Sequence, residues 1–346
     1  MIEIDGSVGE GGGQVLRTAL TLSLLTQKPF NIRDIRGRRK NPGMRPQHLA
    51  AVRAAMAVGK AKVRGDELGG QMLTFEPSGL WAGDYSFDIG TAGACSLVLQ
   101  TIFLPLANAG SNSYIEITGG THVPWSPSFE YIGWVWLPAM RTLGYSATAN
   151  LSKVGFYPKG GGKIGVTVSS SRVVDGLIAL KQVSTRELAG VSLSCNLPEH
   201  VAARQCHRLS ERLEAHQLTP QIEIDRLRSP GRGSAVFITS KHSPAFFGFS
   251  ALGARGKSSE SVADEAADQL LNFIASGAAL DRFLADQVLL PLAIAPSLSR
   301  FNTEAATEHL RTNAEVIEKF LDSKITITKQ DDGLTALVEI TPDCIN

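Results

Sequence analysis

The sequence has no CxxC pair, no histidine set at zinc-ligand spacing, no apolar run long enough to cross a bilayer, and no excess of charge of either sign. Its four cysteines, Cys95, Cys195, Cys206 and Cys344, are scattered over 346 residues. That scatter excludes a disulfide framework and a zinc module and fits free thiols in a reducing compartment. The most apolar stretch, Ser96 to Ala109, falls short of the about 20 residues that a membrane-spanning helix needs. The opening MIEIDGSVGEGGGQ has no basic segment followed by an apolar run. A cytoplasmic protein with no signal peptide and no membrane association is therefore expected. Lys and Arg total 34 against 33 for Asp and Glu, a net charge of +1, so the molecule as a whole does not advertise a polyanionic partner.

What is present is enough apolar sequence, 43% against 19% charged, to bury one large core or two smaller ones. It is arranged as a recurring order of elements. IEIDG, a glycine-rich turn and an apolar helix over Gln14 to Leu25 lead to FNIRDIR, a helix over Pro46 to Val58, and two short strands at Ala61 to Arg64 and Gln71 to Glu76. The order returns with YSFDIG, a helix over Ala92 to Ala107, SYIEITGG, a helix over Ser128 to Leu143, and the strands SATANLS and KIGVTVSS. A third copy, with no clear first strand, has helices over Leu280 to Ala293 and Thr307 to Leu321, with SLSRFN between them. It ends in KITITK and LTALVEIT, joined by an Asp331-Asp332-Gly333 hairpin turn.

Between the second and third copies, Thr185 to Ser276 reads as strand, helix, three strands and helix, enough for a small α+β domain. Two domains follow: residues 1–184 with 277–346 as a large domain of three repeats, and residues 185–276 as an insert. The insert's Arg226-Leu227-Arg228-Ser229-Pro230-Gly231-Arg232-Gly233 segment is basic, and is read either as a nucleic-acid contact or as a solvated hairpin loop.

Two motifs that suggest nucleotide binding fail on spacing. Gly253-Ala254-Arg255-Gly256-Lys257-Ser258 would need glycine where Ala251 stands to be a P-loop. Gly9-Glu10-Gly11-Gly12-Gly13-Gln14 has Gln14 where a dinucleotide fingerprint has its last glycine. Consecutive glycines ahead of a helix N-terminus still let backbone approach an anion. Glu10 among them would be repelled by a phosphate unless a Mg²⁺-type ion bridged the two; otherwise it is a surface residue beside a turn. Arg17 lies one helical turn beyond Gly13. Arg36, Arg38, Arg39, Lys40 and Arg45 crowd into ten residues with no acid among them, as phosphate-binding forks or as a solvated loop. Gln47 and His48 begin the next helix.

Near the C-terminus, Glu308-His309-Leu310-Arg311-Thr312-Asn313 opens an amphipathic helix with His309 and Asn313 on one face. A histidine there is a surface residue or a nucleophile. Asp286, within the apolar Leu284 to Leu292 run, is expected to be buried and to need a partner, for which an imidazole N–H is suited. Gln14 and Gln100 occupy corresponding first helices of the first two copies.

With these residues assembled, the chain resembles the RNA 3'-terminal phosphate cyclases. The resemblance is carried by Gly9 to Arg17 (GEGGGQVLR), Gly155 to Gly162 (GFYPKGGG), Leu284 to Gln287 (LADQ) and His309 to Asn313 (HLRTN), in order, over nearly the whole chain. It implies an α/β (α+β) fold in which three repeats of a parallel two-helix, four-stranded unit form the large domain, with a small thioredoxin-like insert before the third. It implies an ATP-dependent ligase that turns an RNA 3'-phosphate end into a 2',3'-cyclic phosphate. His309 would take AMP from ATP, the AMP would pass to the RNA phosphate, and the 2'-hydroxyl would displace it.

By the same resemblance Glu10 would bind Mg²⁺ or Mn²⁺. Gln14, Gln100, Pro124, Phe283, Asp286 and Gln287 would line the nucleotide pocket, and Asp286 would orient His309. Arg17, Arg36, Arg39 and Gln47 would hold ATP phosphates or the RNA end. The sequence departs from the family's habits at Val154, Phe283 and His122, and Trp125 accompanies the last of these. Two other readings stand beside this one, a non-enzymatic cyclase-like ribosome-assembly factor and an enolpyruvyl-transferase-like enzyme. Monomer and homodimer are both open.

Overall fold

A computed structural model describes residues 1–171, 175–182, 186–331 and 333–342; Asp332 of the expected hairpin turn, Cys344 and the 184/185 domain boundary lie outside the described residues. In chain order the elements are β1 (Ile2–Asp5), α1 (Gln14–Thr26), β2 (Phe30–Arg33), α2 (Pro46–Gly59), β3 (Lys62–Arg64) and β4 (Leu73–Glu76). The next group is β5 (Asp84–Asp88), α3 (Cys95–Ala107), β6 (Ser113–Gly119), a helix that runs from α4 (Phe129–Tyr131) through a π-helical stretch (Ile132–Trp136) into α5 (Leu137–Thr142), β7 (Ala147–Lys153) and β8 (Gly162–Val168). Then come β9 (Ile178–Ala179), β10 (Glu187–Cys195), α6 (His200–Glu214), β11 (Thr219–Leu227), β12 (Gly233–Ser240), β13 (Gly248–Leu252) and α7 (Ser259–Ser276). The chain closes with α8 (Arg282–Ala293), β14 (Ser299–Thr303), α9 (Glu308–Phe320), β15 (Lys324–Lys329) and β16 (Ala336–Thr341).

The strands form four four-stranded mixed sheets, three of which share one topology. Their orders are β1-β2-β4-β3, β5-β6-β8-β7 and β9-β14-β16-β15. In each, the first two strands pair in parallel. The remaining pairs are antiparallel. The sheets are therefore mixed rather than parallel: a helical crossover is needed only between the first two strands, and the last two close as a hairpin. The first strand that the third copy lacks in sequence is β9. Two residues pairing at Arg300–Ile178 and Phe301–Ala179 are too short for a periodic signal, and the intervening segment separates them from the rest of their sheet.

That segment builds the fourth sheet, β11-β10-β12-β13. Because β11 and β12 flank β10 on opposite sides, the basic 226–233 segment is not a hairpin loop; it crosses the end of the sheet.

Apolar periodicity decides the packing. One continuous core joins α1, α3, α8 and α9 through Leu16, Leu20, Leu99, Phe103, Leu284 and Ile317. Each such fully buried side chain contributes about 1.5–3 kcal/mol. A second core, around Leu188, Phe249, Leu270 and Phe273, belongs to the fourth sheet and its helices. A small third cluster joins Val154 and Phe156 to Leu193, Cys195 and Ala235 across the seam. Val154 is buried there against apolar neighbours, where a charged side chain would lack a partner.

Both C-terminal helices begin on side-chain caps: Asp281 accepts from the Phe283 and Leu284 amides, and Thr307 from that of Leu310. These caps fix the starts of the two helices that carry Asp286 and His309.

Candidate active site

The glycine loop between β1 and α1 is wedged between two helix starts. Gly9 has φ +62°, and a Cβ there would lie 1.9 Å from Thr312 Oγ1 on α9; one at Gly13 would lie 2.1 Å from His48 Nε2 on α2. The loop is thus held against the helix of His309 at one end and against α2 at the other. The backbone amide of Arg45 donates to His48 Nδ1 at 3.1 Å, which leaves the ring proton on Nε2, facing Gly13. Burial, with Arg17, Arg36 and Arg45 nearby, pushes the His48 imidazole down to about 3, so it stays neutral. Gly13→Ala is expected to lower stability by about 1–3 kcal/mol, through displacement of His48, and to weaken binding of an anionic ligand at the loop. Urea midpoint and anion titration check this.

Around His309 a chain of polar side chains links three helices. Thr18 Oγ1 donates to Asn313 Oδ1 at 2.6 Å, and Asn313 Nδ2 donates to the Asp286 carboxylate at 2.8 Å. Gln14 Nε2 approaches the same carboxylate at 3.3 Å, and Arg17 donates to Gln14 Oε1 at 3.0 Å. Burial lifts the Asp286 carboxyl to about 6, although His309, Asn313 and Arg17 draw it the other way. Burial lowers the Arg17 guanidinium to about 10, so it keeps its charge at neutral pH. The partner expected for Asp286 was the His309 ring N–H. Instead Asn313 and Gln14 hold the carboxylate. The ring is directed at the glycine loop, where His309 Nε2 lies 3.3 Å from Glu10 Oε2 and Arg39 reaches the same oxygen at 3.1 Å.

This cluster lines a cavity of about 1610 Å³. Gln100 donates to Gln287 at 2.7 Å in its lining, which also includes Pro124 and Phe283. Arg282 stacks over the Phe283 ring at 4.6 Å, and Tyr131 meets that ring edge-on. Small-molecule pockets usually span about 300–1,000 Å³, so this one has room for a nucleotide and part of a second substrate.

Of the residues singled out by sequence, Glu10, Gln14, Arg17, Gln100, Pro124, Phe283, Asp286, Gln287 and His309 line this one cavity. Arg39 reaches it through Glu10. Arg36 and Gln47 do not. Arg36 donates to the Asn41 and Gly43 carbonyls of its own loop, and Gln47 accepts from the Ala94 amide ahead of α3. Both tie backbone together as the structure stands. His122 is buried between Glu130, at 2.8 Å, and Thr121, whose hydroxyl accepts from the Gly155 amide. It thereby braces the start of the GFYPKGGG segment. Asn313 and Thr18 were absent from the sequence-derived set; the i, i+4 spacing of His309 and Asn313 was the signal for the first, and Thr18 has none.

Among the described residues no group of three or more His, Cys, Asp or Glu side chains could hold a metal ion by itself. Glu10 does fit a cation brought in with phosphate oxygens, since Mg²⁺ is commonly held by one or two carboxylates plus substrate. No helix among the described residues is long and apolar enough to cross a membrane.

A family model described as RNA 3'-terminal phosphate cyclase matches residues 8–327. The chain is 41% identical over 338 residues to the RNA 3'-terminal phosphate cyclase of Nostoc punctiforme, covering 96% of this chain and 97% of that protein. It is 41% identical over 348 residues to the cyclase of Methylococcus capsulatus, covering 98% and 96%. To that of Caldivirga maquilingensis it is 41% identical over 334 residues, 94% of each.

Proposed function

Because the chain belongs to the RNA 3'-terminal phosphate cyclase family, we propose that it uses ATP to close an RNA 3'-phosphate end into a 2',3'-cyclic phosphate, with His309 as nucleophile. The observation that carries the proposal is the convergence on one cavity of His309, Glu10, Arg17 and Asp286, with Gln100, Gln287, Pro124 and Phe283 beyond them.

In the first step the free ring nitrogen of His309 attacks the α-phosphorus of ATP. The P–O bond to the β-phosphate breaks and pyrophosphate leaves, with AMP held through a P–N bond. Asp286, fixed by Asn313 and Gln14, stabilises the positive charge that develops on the ring. Arg17 and Arg39 supply guanidinium forks for phosphate oxygens, and Arg39 becomes available as Glu10 turns to a cation. A divalent ion at Glu10 would neutralise phosphate charge and assist departure of pyrophosphate.

In the second step an oxygen of the RNA 3'-phosphate attacks the same phosphorus and breaks the P–N bond. This restores the imidazole and leaves an RNA–phosphate–AMP anhydride. In the third, the neighbouring 2'-oxygen attacks the RNA phosphorus, its proton is lost, and AMP departs. A phosphate dianion is a poor electrophile, and the AMP leaving group overcomes this. Phe283, Pro124 and the Gln100–Gln287 pair form the base pocket: apolar faces for stacking, amides for the nucleobase edge. We read residues 1–184 and 277–346 as the catalytic domain, and 185–276 as a thioredoxin-like insert in the cytoplasmic enzyme.

The test uses an RNA oligonucleotide bearing a labelled 3'-phosphate. With ATP and Mg²⁺ or Mn²⁺ the label should become resistant to phosphatase while remaining on the RNA. Label that stays phosphatase-sensitive at every enzyme concentration would overturn the proposal.

A further inference from the structure

The basic 226–233 segment crosses the seam and lies against GFYPKGGG. A Cβ at Gly161 would come within 3.1 Å of the Pro230 ring, one at Gly231 within 3.4 Å of Lys159 Cβ, and one at Gly233 within 2.2 Å of the Phe156 ring. From behind, Asn196 Nδ2 holds the segment by donating to the Ser229 and Gly231 carbonyls. Arg232, Tyr157 and Arg255 all line the cavity, and Lys159 lies beside Gly231. All three cations are exposed, and none has a hydrogen-bond or ion-pair partner among the described residues. Other basic side chains of the insert are paired with acids: Arg204 with Glu260, Arg208 and Arg212 with Asp264, Lys257 with Glu265 and, within the segment itself, Arg226 with Glu199.

Two exposed aromatic rings line the same cavity. Tyr157 is 68% exposed, and Trp125 is 98% exposed with φ +61°, in the left-handed region that bulky side chains rarely adopt. No core packing compensates that conformation, which leaves the indole exposed along the cavity lining. Unpaired cations interleaved with exposed rings make a platform for single-stranded nucleic acid: the cations track phosphates, and the rings stack on bases without regard to sequence.

We infer that the strand upstream of the RNA 3' end leaves the active site across this ridge, contacting Lys159, Arg232 and Arg255 through phosphates and Trp125 and Tyr157 through bases. The inference rests on the cyclase reading and adds a substrate-length site shared between the insert and the second repeat. The 226–233 segment is then a recognition element rather than a solvated loop.

The test measures binding without ATP, so that a failure of catalysis and a failure of this surface are separate results. A 12-nucleotide RNA and a dinucleotide, each with a 3'-phosphate, are titrated against the full chain and three variants. These are Lys159→Ala/Arg232→Ala/Arg255→Ala, Trp125→Ala and Trp125→Phe. The triple variant should bind the 12-mer at least about tenfold more weakly, with the slope of log K against log salt reduced by about 2 for three lost phosphate contacts. Trp125→Ala should also lose about tenfold, and Trp125→Phe should recover most of it. For all three variants the dinucleotide affinity and the labelling by ATP should stay within about twofold of wild type. Unchanged affinity for the 12-mer, or equal losses for both RNAs, would overturn the inference.

Discussion

The His309→Ala protein is expected to fold and bind ATP, to take up no AMP, and to cyclise RNA 3'-phosphate ends at least about a thousandfold more slowly. The contrast between fold and activity is the informative part. The His309 side chain is 45% exposed and lies in the first turn of α9, whose cap is Thr307, so its loss removes neither core packing nor a helix cap. Surface substitutions of this kind usually change stability by no more than about 0.5 kcal/mol. Asp286→Asn keeps the shape of the cluster and removes its charge, so slower AMP transfer with an unchanged ATP affinity is expected. Single-turnover kinetics separate the two.

The second large effect is on stability. Asp281 is fully buried and accepts four hydrogen bonds: from the Phe283 and Leu284 amides at 2.7 Å, the Gly248 amide at 2.8 Å and the Tyr131 hydroxyl at 3.0 Å. It thereby pins α8, the fourth sheet and α4 to one carboxyl group. Asp281→Ala removes a helix cap and leaves buried donors unsatisfied, which together cost about 3–5 kcal/mol. That is a large share of the about 5–15 kcal/mol that holds a typical domain together.

Burial lifts the Asp281 carboxyl to about 7, against the pull of its donors and with Glu304 pushing the same way. An unfolded aspartate titrates near about 3.9, so between the two values the folded chain holds a proton that the unfolded chain has released. Stability supplied by this group is therefore lost as pH rises from about 4 to about 7, by at most about 1.4 kcal/mol per pH unit. Urea midpoints of wild type and Asp281→Asn across that window check the sign: the wild type should lose stability relative to the variant as pH rises.

The sequence exposed what local chemistry and order can expose. The glycine loop before α1 and the histidine opening α9 each occupy a few contiguous residues, and the unit of strand, helix, strand, helix and hairpin returns in order, complete in two copies and without its first strand in the third. Nine of the twelve side chains assigned to the site line one cavity. What stayed hidden depends on distance. β9 is two residues long and pairs with β14 across the whole insert. Arg36 and Gln47 look like anion and base ligands by composition, but neighbouring backbone takes their polar atoms, and no linear pattern reveals that. Two of the donors to Asp281 come from Tyr131 and Gly248, 150 and 33 residues away. The partner of Asp286 is Asn313 because the α8 and α9 faces meet there, whereas residue type alone suggests His309.

The nucleophile is tested most directly by trapping it. Protein incubated with α-labelled ATP and Mg²⁺ or Mn²⁺, then denatured and digested, should carry AMP on the peptide containing His309, through a bond that is labile in acid and stable in alkali. His309→Ala should carry none. Absence of label on folded, ATP-binding wild type, or label on any other residue, would contradict the assignment of His309. Absence would leave the chain closer to a non-enzymatic member of its family.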